Sequence, residues 1–447
     1  MCLASSLLAA CGVVKQDDAS APSKTDHVDG TAAAPQQKKT FDPSWIMFSE
    51  NDHYPDAFEE GVLKKVKSPK PPKQARGHVS LTFSSDGTIW YENGEHRPHI
   101  DEDGNRAEYD DWLPEKTVEF DPITGAVRDW GLDLYKGKAD AESGNGGSGS
   151  KVRSQSHVVW TPRKQTFELD TDDYDVWVAD PDGLNARKIG TSTVDDQGLN
   201  RNVFGEGSDP INVADDVYWV ESETLENHDD ALGMSIFSAP TDASTPMKEE
   251  ILGGWAMESD LCATADSPSF TYVVSAQSTG DVDQPAQVHR RTFDAQGAMV
   301  SDDVLWTAVD VEETPDYVSA CGDVLAVGRY VQGIDAEDPI TSQNRLDIVR
   351  DGKTTTIAWE EFDYTLNAVR ATPFGVFFVE DMMGGFFYDF KTSRIYKIGE
   401  AEQMLNRKPG YRAEENIAIL LYAAKKDADG YYEDYEPLVV MRPDASK

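Results

Sequence analysis

A repeat constrains the fold of this 447-residue chain more than any other feature. Trp130 leads into Gly131-Leu132-Asp133 and Trp255 into Ala256-Met257-Glu258-Ser259-Asp260, while Trp306 precedes Asp310 and Trp359 precedes Asp363. β-rich apolar runs follow at the same stage of each unit: Val213 to Val220, Phe270 to Ala276, Val324 to Tyr330, Val376 to Val379 and Ile417 to Tyr422. Lys188-Ile189-Gly190 returns as Lys397-Ile398-Gly399. The expected unit ends, near 130, 189, 255, 306, 359 and 398, lie about 54 residues apart, the length of a four-stranded propeller blade with loop insertions. Asp86-Gly87, Asp182-Gly183, Gln296-Gly297 and Asp351-Gly352 supply hairpin turns inside the units. Sustained helical periodicity is absent, with a short helix expected only over Glu400 to Leu405.

The repeat predicts an all-β chain: a single β-propeller over residues 41–447, with seven blades. Six or eight blades are the alternatives, because the unit before Trp130 is loop-rich. The last unit offers three strands, near Arg412 to Asn416, Ile417 to Ala423 and Pro437 to Arg442. Val62-Leu63-Lys64-Lys65-Val66 is the expected fourth, so that the N-terminal strand pairs with the C-terminal blade, closes the ring and leaves no free edge there. The recurrent tryptophans read as packing between blades.

Two segments carry family resemblances. Asp173-Tyr174-Asp175-Val176-Trp177-Val178-Ala179-Asp180-Pro181-Asp182-Gly183-Leu184-Asn185-Ala186-Arg187-Lys188-Ile189 resembles the TolB-like, WD40-like propeller repeat, in which a strand ends in an Asp-x-Asp-Gly turn before an Asn-x-Arg strand. Phe83-Ser84-Ser85-Asp86-Gly87 is similar to the Phe-Ser-Pro-Asp-Gly element of that family, with Ser85 where Pro is usual. The resemblance covers two units well and the others in rhythm. It implies the fold, and a range of roles from envelope assembly and signalling lipoproteins to the propellers of peptidases.

Leu8-Ala9-Ala10-Cys11, followed by Gly12, resembles a bacterial lipoprotein signal in residues 1–11, with Cys11 as the lipidation site. No Lys or Arg precedes it. Residues 12–40, rich in Ala, Ser, Asp, Gln, Lys and Pro, read as a disordered tether, since they bury too little apolar surface to offset chain entropy. The resemblance implies a protein held at the cell surface or in the periplasm through membrane lipid. Cys262 and Cys321 are then the disulfide candidate, with two free thiols as the alternative.

The net charge of −40, from 81 acids against 41 bases, argues against nucleic-acid binding. No Gly-x-Ser-x-Gly elbow and no His-Glu-x-x-His zinc pattern occur. The Gly/Ser run Ser143 to Ser150 reads as a flexible insertion between the first two units. No cofactor is expected, with Ca²⁺ the one candidate: Asp101, Asp103 and Asn105 pack oxygen ligands around a Gly turn, although hairpin turns account for such residues without a metal. His157, Asp209, Asp260, Asp316 and Arg370, each just before or within an expected inner strand, are the candidates for contacting a ligand at the central channel. The expected function is a monomeric binding or scaffold module for a protein, peptide or glycan partner. A glycan-active hydrolase or lyase, and an accessory protein of an envelope-assembly or signalling system, are the alternatives.

Overall fold

A computed structural model describes residues 42–72, 79–100, 106–131, 148–154, 156–162, 175–194, 199–203, 209–225, 231–279, 282–309, 315–329, 344–359, 366–380, 383–400, 409–426 and 432–443. Two short strands come first, β1 (Ile46–Phe48) and β2 (Lys64–Lys65). Blade 1 follows with β3 (Val79–Phe83), β4 (Ile89–Ile100), β5 (Arg106–Phe120) and β6 (Val127–Gly131); blade 2 has β7 (Ser148–Arg153), β8 (Val158–Pro162), β9 (Asp175–Ala179) and β10 (Arg187–Thr191). Blade 3 adds β11 (Thr193–Val194) and β12 (Leu199–Val203) to β13 (Ile211–Val213), β14 (Asp216–Leu225), β15 (Ala231–Pro240) and β16 (Lys248–Leu252). Blade 4 has β17 (Gly254–Ser259), β18 (Ser269–Val274), β21 (Gln287–Phe293) and β22 (Met299–Thr307), with a small ribbon of β19 (Gln277–Thr279) and β20 (Val282–Gln284). Blade 5 is β23 (Pro315–Cys321), β24 (Val324–Arg329), β25 (Arg345–Arg350) and β26 (Lys353–Trp359). Blade 6 is β27 (Leu366–Thr372), β28 (Gly375–Glu380), β29 (Gly384–Asp389) and β30 (Arg394–Gly399), and blade 7 is β31 (Gly410–Arg412), β32 (Ile417–Lys426) and β33 (Tyr432–Met441) with β2 as its fourth strand. The chain is an all-β, seven-bladed propeller. Among the described residues, no helix is long and apolar enough to cross a membrane.

The blades follow from burial on two faces. Every residue of β24, β28 and β29 is buried, because each sheet is covered by a neighbouring blade on both sides. These strands are the apolar runs legible in the sequence. Hairpins close where an Asp or Ser caps a turn that ends in a glycine with positive φ. Gly297 (φ 84°) is one such position, and the Asp294 carboxylate accepts the backbone N–H groups of Gln296 and Ala298, both at 2.9 Å. At Gly183 (φ 83°) a Cβ would stand 2.4 Å from the Trp130 ring of the preceding blade. Trp130 packs in turn with Trp90 and Trp160, so the first tryptophan of the repeat seals blades 1 and 2.

Trp130, Trp306 and Trp359 lie on outer strands, but Trp255 lies on inner strand β17. Blade 3 ends at Leu252, and Gly253 alone links it to blade 4, so the tryptophan falls beyond the link. The Gly/Ser run differs as well. Ser148, Gly149 and Ser150 open inner strand β7, with Ser148 opposite Pro162 of β8 and a register shift before Lys151. Residues 401–408, which hold most of the expected helix, lie outside the described residues.

Arginines staple neighbouring blades at one face of the ring. Arg128 of blade 1 donates to the Pro181 carbonyl of blade 2 at 2.5 Å, and Arg187 of blade 2 donates to the Thr241 carbonyl of blade 3. Arg412 of blade 7 reaches the Asp86 carbonyl and the Asp121 carboxylate of blade 1, at 2.9 and 3.0 Å. Arg442 of blade 7 pairs with buried Asp389 of blade 6. Each charged hydrogen bond contributes about 1.5–3 kcal/mol where it is shielded from water.

Blades 3 and 4 meet through a network centred on Asp302. Its carboxylate accepts from Tyr272 Oη at 2.7 Å and from Arg291 Nε and Nη2 at 3.0 and 2.9 Å, and it faces His289 Nδ1 at 3.2 Å. Arg291 also faces Glu250 of blade 3 at 3.7 Å. Burial alone would raise the Asp302 pKa, but the hydrogen bonds from His289, Tyr272 and Arg291 and the Arg291 charge override it and hold the value at about 2. A depressed folded-state pKa gives stability that is complete above the ordinary carboxylate value and lost as pH falls toward the folded one. Acid titration of stability should therefore show a loss between about pH 4 and pH 2, worth about 1–2 kcal/mol after solvent screening. Asp302→Asn should flatten that limb, and an unchanged acid limb would refute the assignment.

The N-terminal segment forms a strap along the outer rim. β1 pairs in parallel with β26 of blade 5, Ile46 opposite Ile357. The chain then crosses blade 6, where Ala57 N–H donates to the Lys397 carbonyl at 2.9 Å and Lys397 N–H donates to the Pro55 carbonyl at 3.0 Å. It ends on blade 7, where β2 pairs antiparallel with β33, Lys64 opposite Met441 and Lys65 opposite Val440. Ring closure by the N-terminal strand is thus as expected, while the contacts to blades 5 and 6 are additional. Phe48, Ala57 and Leu63 anchor the strap as buried members of the largest apolar core.

Candidate functional site

The two faces of the ring differ in how the strands are joined. On one face the turns between first and second strands, and between third and outer strands, are short: Gly322-Asp323 in blade 5, Pro373-Phe374 in blade 6 and Asp351-Gly352 in blade 5. On the other face the described strand ends lie further apart in sequence at several places, although Gly253 alone joins β16 to β17. Gly131 and Ser148, Pro162 and Asp175, and Arg329 and Asn344 are such pairs, and the residues between them lie outside the described residues.

Three consecutive inner strands are interrupted by β-bulges on that second face. In β17 the register shifts between Trp255 and Glu258, in β23 between Pro315 and Tyr317, and in β27 between Leu366 and Ala368. Ala256 takes φ of 47° within the first of them. Bulges redirect side chains and cluster near sites. Here they place Asp316 and Asn367 as the extra residues of adjacent blades. Asn367 Nδ2 is buried with no hydrogen-bond partner among the described residues. Arg329, Asn344, Arg345 and Glu380 are buried at the same ends of blades 5 and 6. Gly328, beside Arg329, lies against the Leu366 side chain, which brings those strand ends together.

Deeper along the axis the wall is closed by an ion pair. Arg370 on β27 is 1 % exposed and donates from Nη1 to Glu258 Oε1 on β17, 2.6 Å away, in a side chain only 6 % exposed. The pair joins blade 6 to blade 4 past blade 5, and Arg370 Nε also donates to the Pro409 carbonyl ahead of blade 7, at 2.5 Å. Ser319 of blade 5 accepts the Ala371 N–H at 3.0 Å at the same level. Glu258 and Arg370 neutralise each other, so the pair binds the blades together.

Two of the sequence candidates, Asp316 and Arg370, fall on inner strands, and Asp209 lies two residues ahead of β13. His157 and Asp260 lie at the opposite end, in the first turns of blades 2 and 4. Asp260 accepts the N–H groups of Cys262 at 3.0 Å and of Gly322 in blade 5 at 3.2 Å, and it faces Arg290 at 3.5 Å. Cys262 and Cys321 are joined as a disulfide beside it, Cα to Cα 4.7 Å, so that this corner locks blade 4 to blade 5. The bridge spans 59 residues of chain, and its removal in Cys321→Ala should cost about 4 kcal/mol of unfolding free energy on the chain-entropy account. A denaturation midpoint equal to that of the oxidised protein would count against it. His157 shares a turn with Ser154, whose hydroxyl donates to Asn212 of blade 3 at 2.7 Å. Burial, and then the nearby Arg187 charge, hold the His157 pKa below its ordinary value.

Cys11, Asp101, Asp103 and Asn105 lie outside the described residues. Among the described residues, no three His, Cys, Asp or Glu side chains converge as a metal site. Sequence reasoning missed Glu258 and Asn367. Glu258 sits in the Trp255-to-Asp260 block already singled out, but nothing in a single sequence says that it meets Arg370 more than a hundred residues away.

No protein-family model matches this sequence, and no curated protein matches it. Among solved structures, the chain is similar to the β-propeller domain of the Trilobed protease from Pyrococcus furiosus, at 10% identity over 82% of this chain and 97% of that one, TM-score 0.40. It is similar to BamB from Moraxella catarrhalis at 12% identity, over 85% of this chain and 99% of that one, TM-score 0.37. It is also similar to the Pyrococcus horikoshii acylaminoacyl peptidase at 9% identity, over 81% of this chain but 52% of that one, TM-score 0.44, and so spans about half of that peptidase. Likeness at these identities concerns the propeller fold and carries no activity with it.

Proposed function

We propose that this chain is a lipid-anchored propeller of the cell exterior or periplasm that holds a protein, peptide or glycan partner on the face that carries the bulges of the inner strands. The observation that carries the reading is the asymmetry of the ring. One face is stapled by arginines, whereas the other carries three consecutive bulges with the half-buried Asp316 and Asn367. Loops on a rigid scaffold are where binding concentrates. Leu8-Ala9-Ala10-Cys11 supports the anchor, and the Cys262–Cys321 disulfide suits an oxidising compartment.

A photo-crosslinking residue at position 316, compared with one at Gln296 on the stapled face, tests the binding face in intact cells. Adducts of one reproducible partner at 316 and none at 296 are expected. Equal labelling at both positions, or none at 316, would sink the reading. For the anchor, an alkyne fatty acid fed to cells should label the wild type and not Cys11→Ser, and label retained in Cys11→Ser would refute lipidation there.

A further inference from the structure

A stripe of bases runs against the charge of the rest of the chain. From Gly61 to Ser85 no Asp or Glu occurs, in a protein with 81 acids against 41 bases. Lys64, Lys67, Lys70, Lys73 and Arg76 stand at every third position of that run. A polyproline II helix repeats every three residues, so bases at this spacing come onto one side of an extended chain. Pro69, Pro71 and Pro72 hold the segment extended, by fixing their own φ and by restricting the residues before them. Residues 66–72 form neither helix nor strand, yet they are fixed to the ring. Val66 N–H donates to the Val439 carbonyl of blade 7 at 2.8 Å, Ser68 Oγ donates to the Pro122 carbonyl of blade 1 at 2.7 Å, and Pro69 packs against Gly125. Lys64, Lys67 and Lys70 are exposed, and among the described residues none of them forms an ion pair. Lys65 differs, since its ammonium lies 4.5 Å from the centre of the Phe58 ring. A row of unanswered bases on a rigid mount, in an otherwise acidic protein, is complementary to an anionic surface.

We propose that Lys64, Lys67 and Lys70 dock the ring onto the phosphate groups of an anionic membrane leaflet. The inference rests on the anchored reading above, because the tether expected over residues 12–40 would reach about 30 Å as a flexible coil and so keep the stripe beside a leaflet. Near such a surface each base raises partitioning roughly fivefold. The net charge of −40 does not forbid the contact. Exposed charges further apart than about 10 Å are largely screened at about 0.1 M salt. The stripe crosses from the rim of blade 7 to the Asp121–Ala126 turn of blade 1, at the edge of the arginine-stapled face. Glu59 and Glu60, just ahead of the stripe, are the exposed acids nearest to it in sequence. Docking on that edge turns the bulged face, with Asp316 and Asn367, away from the lipid and toward a partner.

Co-flotation of the full chain carrying Cys11→Ser with lipid vesicles provides the test. Vesicles of equal parts phosphatidylcholine and phosphatidylglycerol should carry the protein, vesicles of phosphatidylcholine alone should not, and binding should fall as salt rises. Lys64→Gln together with Lys67→Gln and Lys70→Gln should lower the partition coefficient about a hundredfold, while the thermal midpoint reports that the fold is intact. Lys248→Gln together with Lys353→Gln and Arg394→Gln removes the same charge from exposed bases elsewhere on the ring and should lower it far less. Equal loss in both triple variants would overturn the proposal. Equal flotation with phosphatidylcholine alone would overturn it too, and that comparison needs no variant to fold. Inorganic phosphate should displace the protein no better than chloride of equal ionic strength. Stronger displacement by phosphate would make the stripe a site for the free anion and overturn the leaflet as its partner. The chain in this assay lacks the acylation site, so the result is independent of fatty-acid labelling at Cys11.

Discussion

Replacing Arg370 with Met should cost about 3–5 kcal/mol of unfolding free energy, read from the shift of a urea or guanidinium transition. The cost comes from Glu258. Its carboxylate is buried on blade 4, and without the guanidinium 2.6 Å away it loses its buried counter-ion. The Pro409 carbonyl loses its donor as well. Replacing both members, Arg370→Met with Glu258→Met, should recover most of the loss, because a buried pair exchanged for apolar groups of similar volume is close to neutral. A single variant within about 1 kcal/mol of wild type would mean that water reaches the pair and that the axis is open at this level.

Truncating Phe48 to Ala should be comparably damaging, at about 3–5 kcal/mol. The ring is fully buried at the start of the strap. It meets Tyr54 at 4.9 Å, Trp359 at 5.2 Å, Phe378 at 5.6 Å and Phe386 at 4.8 Å between centroids, and so ties the strap to blades 5 and 6 at once. The edges that β1 and β2 cover belong to β26 and β33, and a loosened strap uncovers both. The variant should therefore aggregate on heating at a lower temperature than a variant of equal instability elsewhere in the ring. Reversible unfolding with an unchanged aggregation onset would show that the strap is dispensable for edge protection.

The second strands of the blades were legible because they are covered on both faces, so that Val324 to Val327 and Val376 to Val379 read as unbroken apolar runs. The inner strands were far less legible. They line the axis and carry polar residues such as Ser148, Ser319 and Arg370, so they do not alternate or run apolar. In blade 2 the apolar strand at Val158 stood in for the inner strand, and His157 was read at the channel when it lies in a turn on the stapled face. The same substitution moved Asp260. The closing strand was legible because the last unit lacked a fourth strand and the sequence offered one. β1 was not, since three residues pairing in parallel with a blade 5 strand leave no periodic trace.

The strap also fixes an order of events. Ile46 and Lys64 leave the ribosome long before their partners Ile357 and Met441. Closing so long a loop of chain carries an entropic cost that must be met before the pairing contributes anything. Blades built from adjacent hairpins can form as they emerge, while the rim stays unsealed until the final strand arrives. The ring of such a chain locks only after Met441 has been made, so everything from the strap to blade 7 is synthesised before the rim closes.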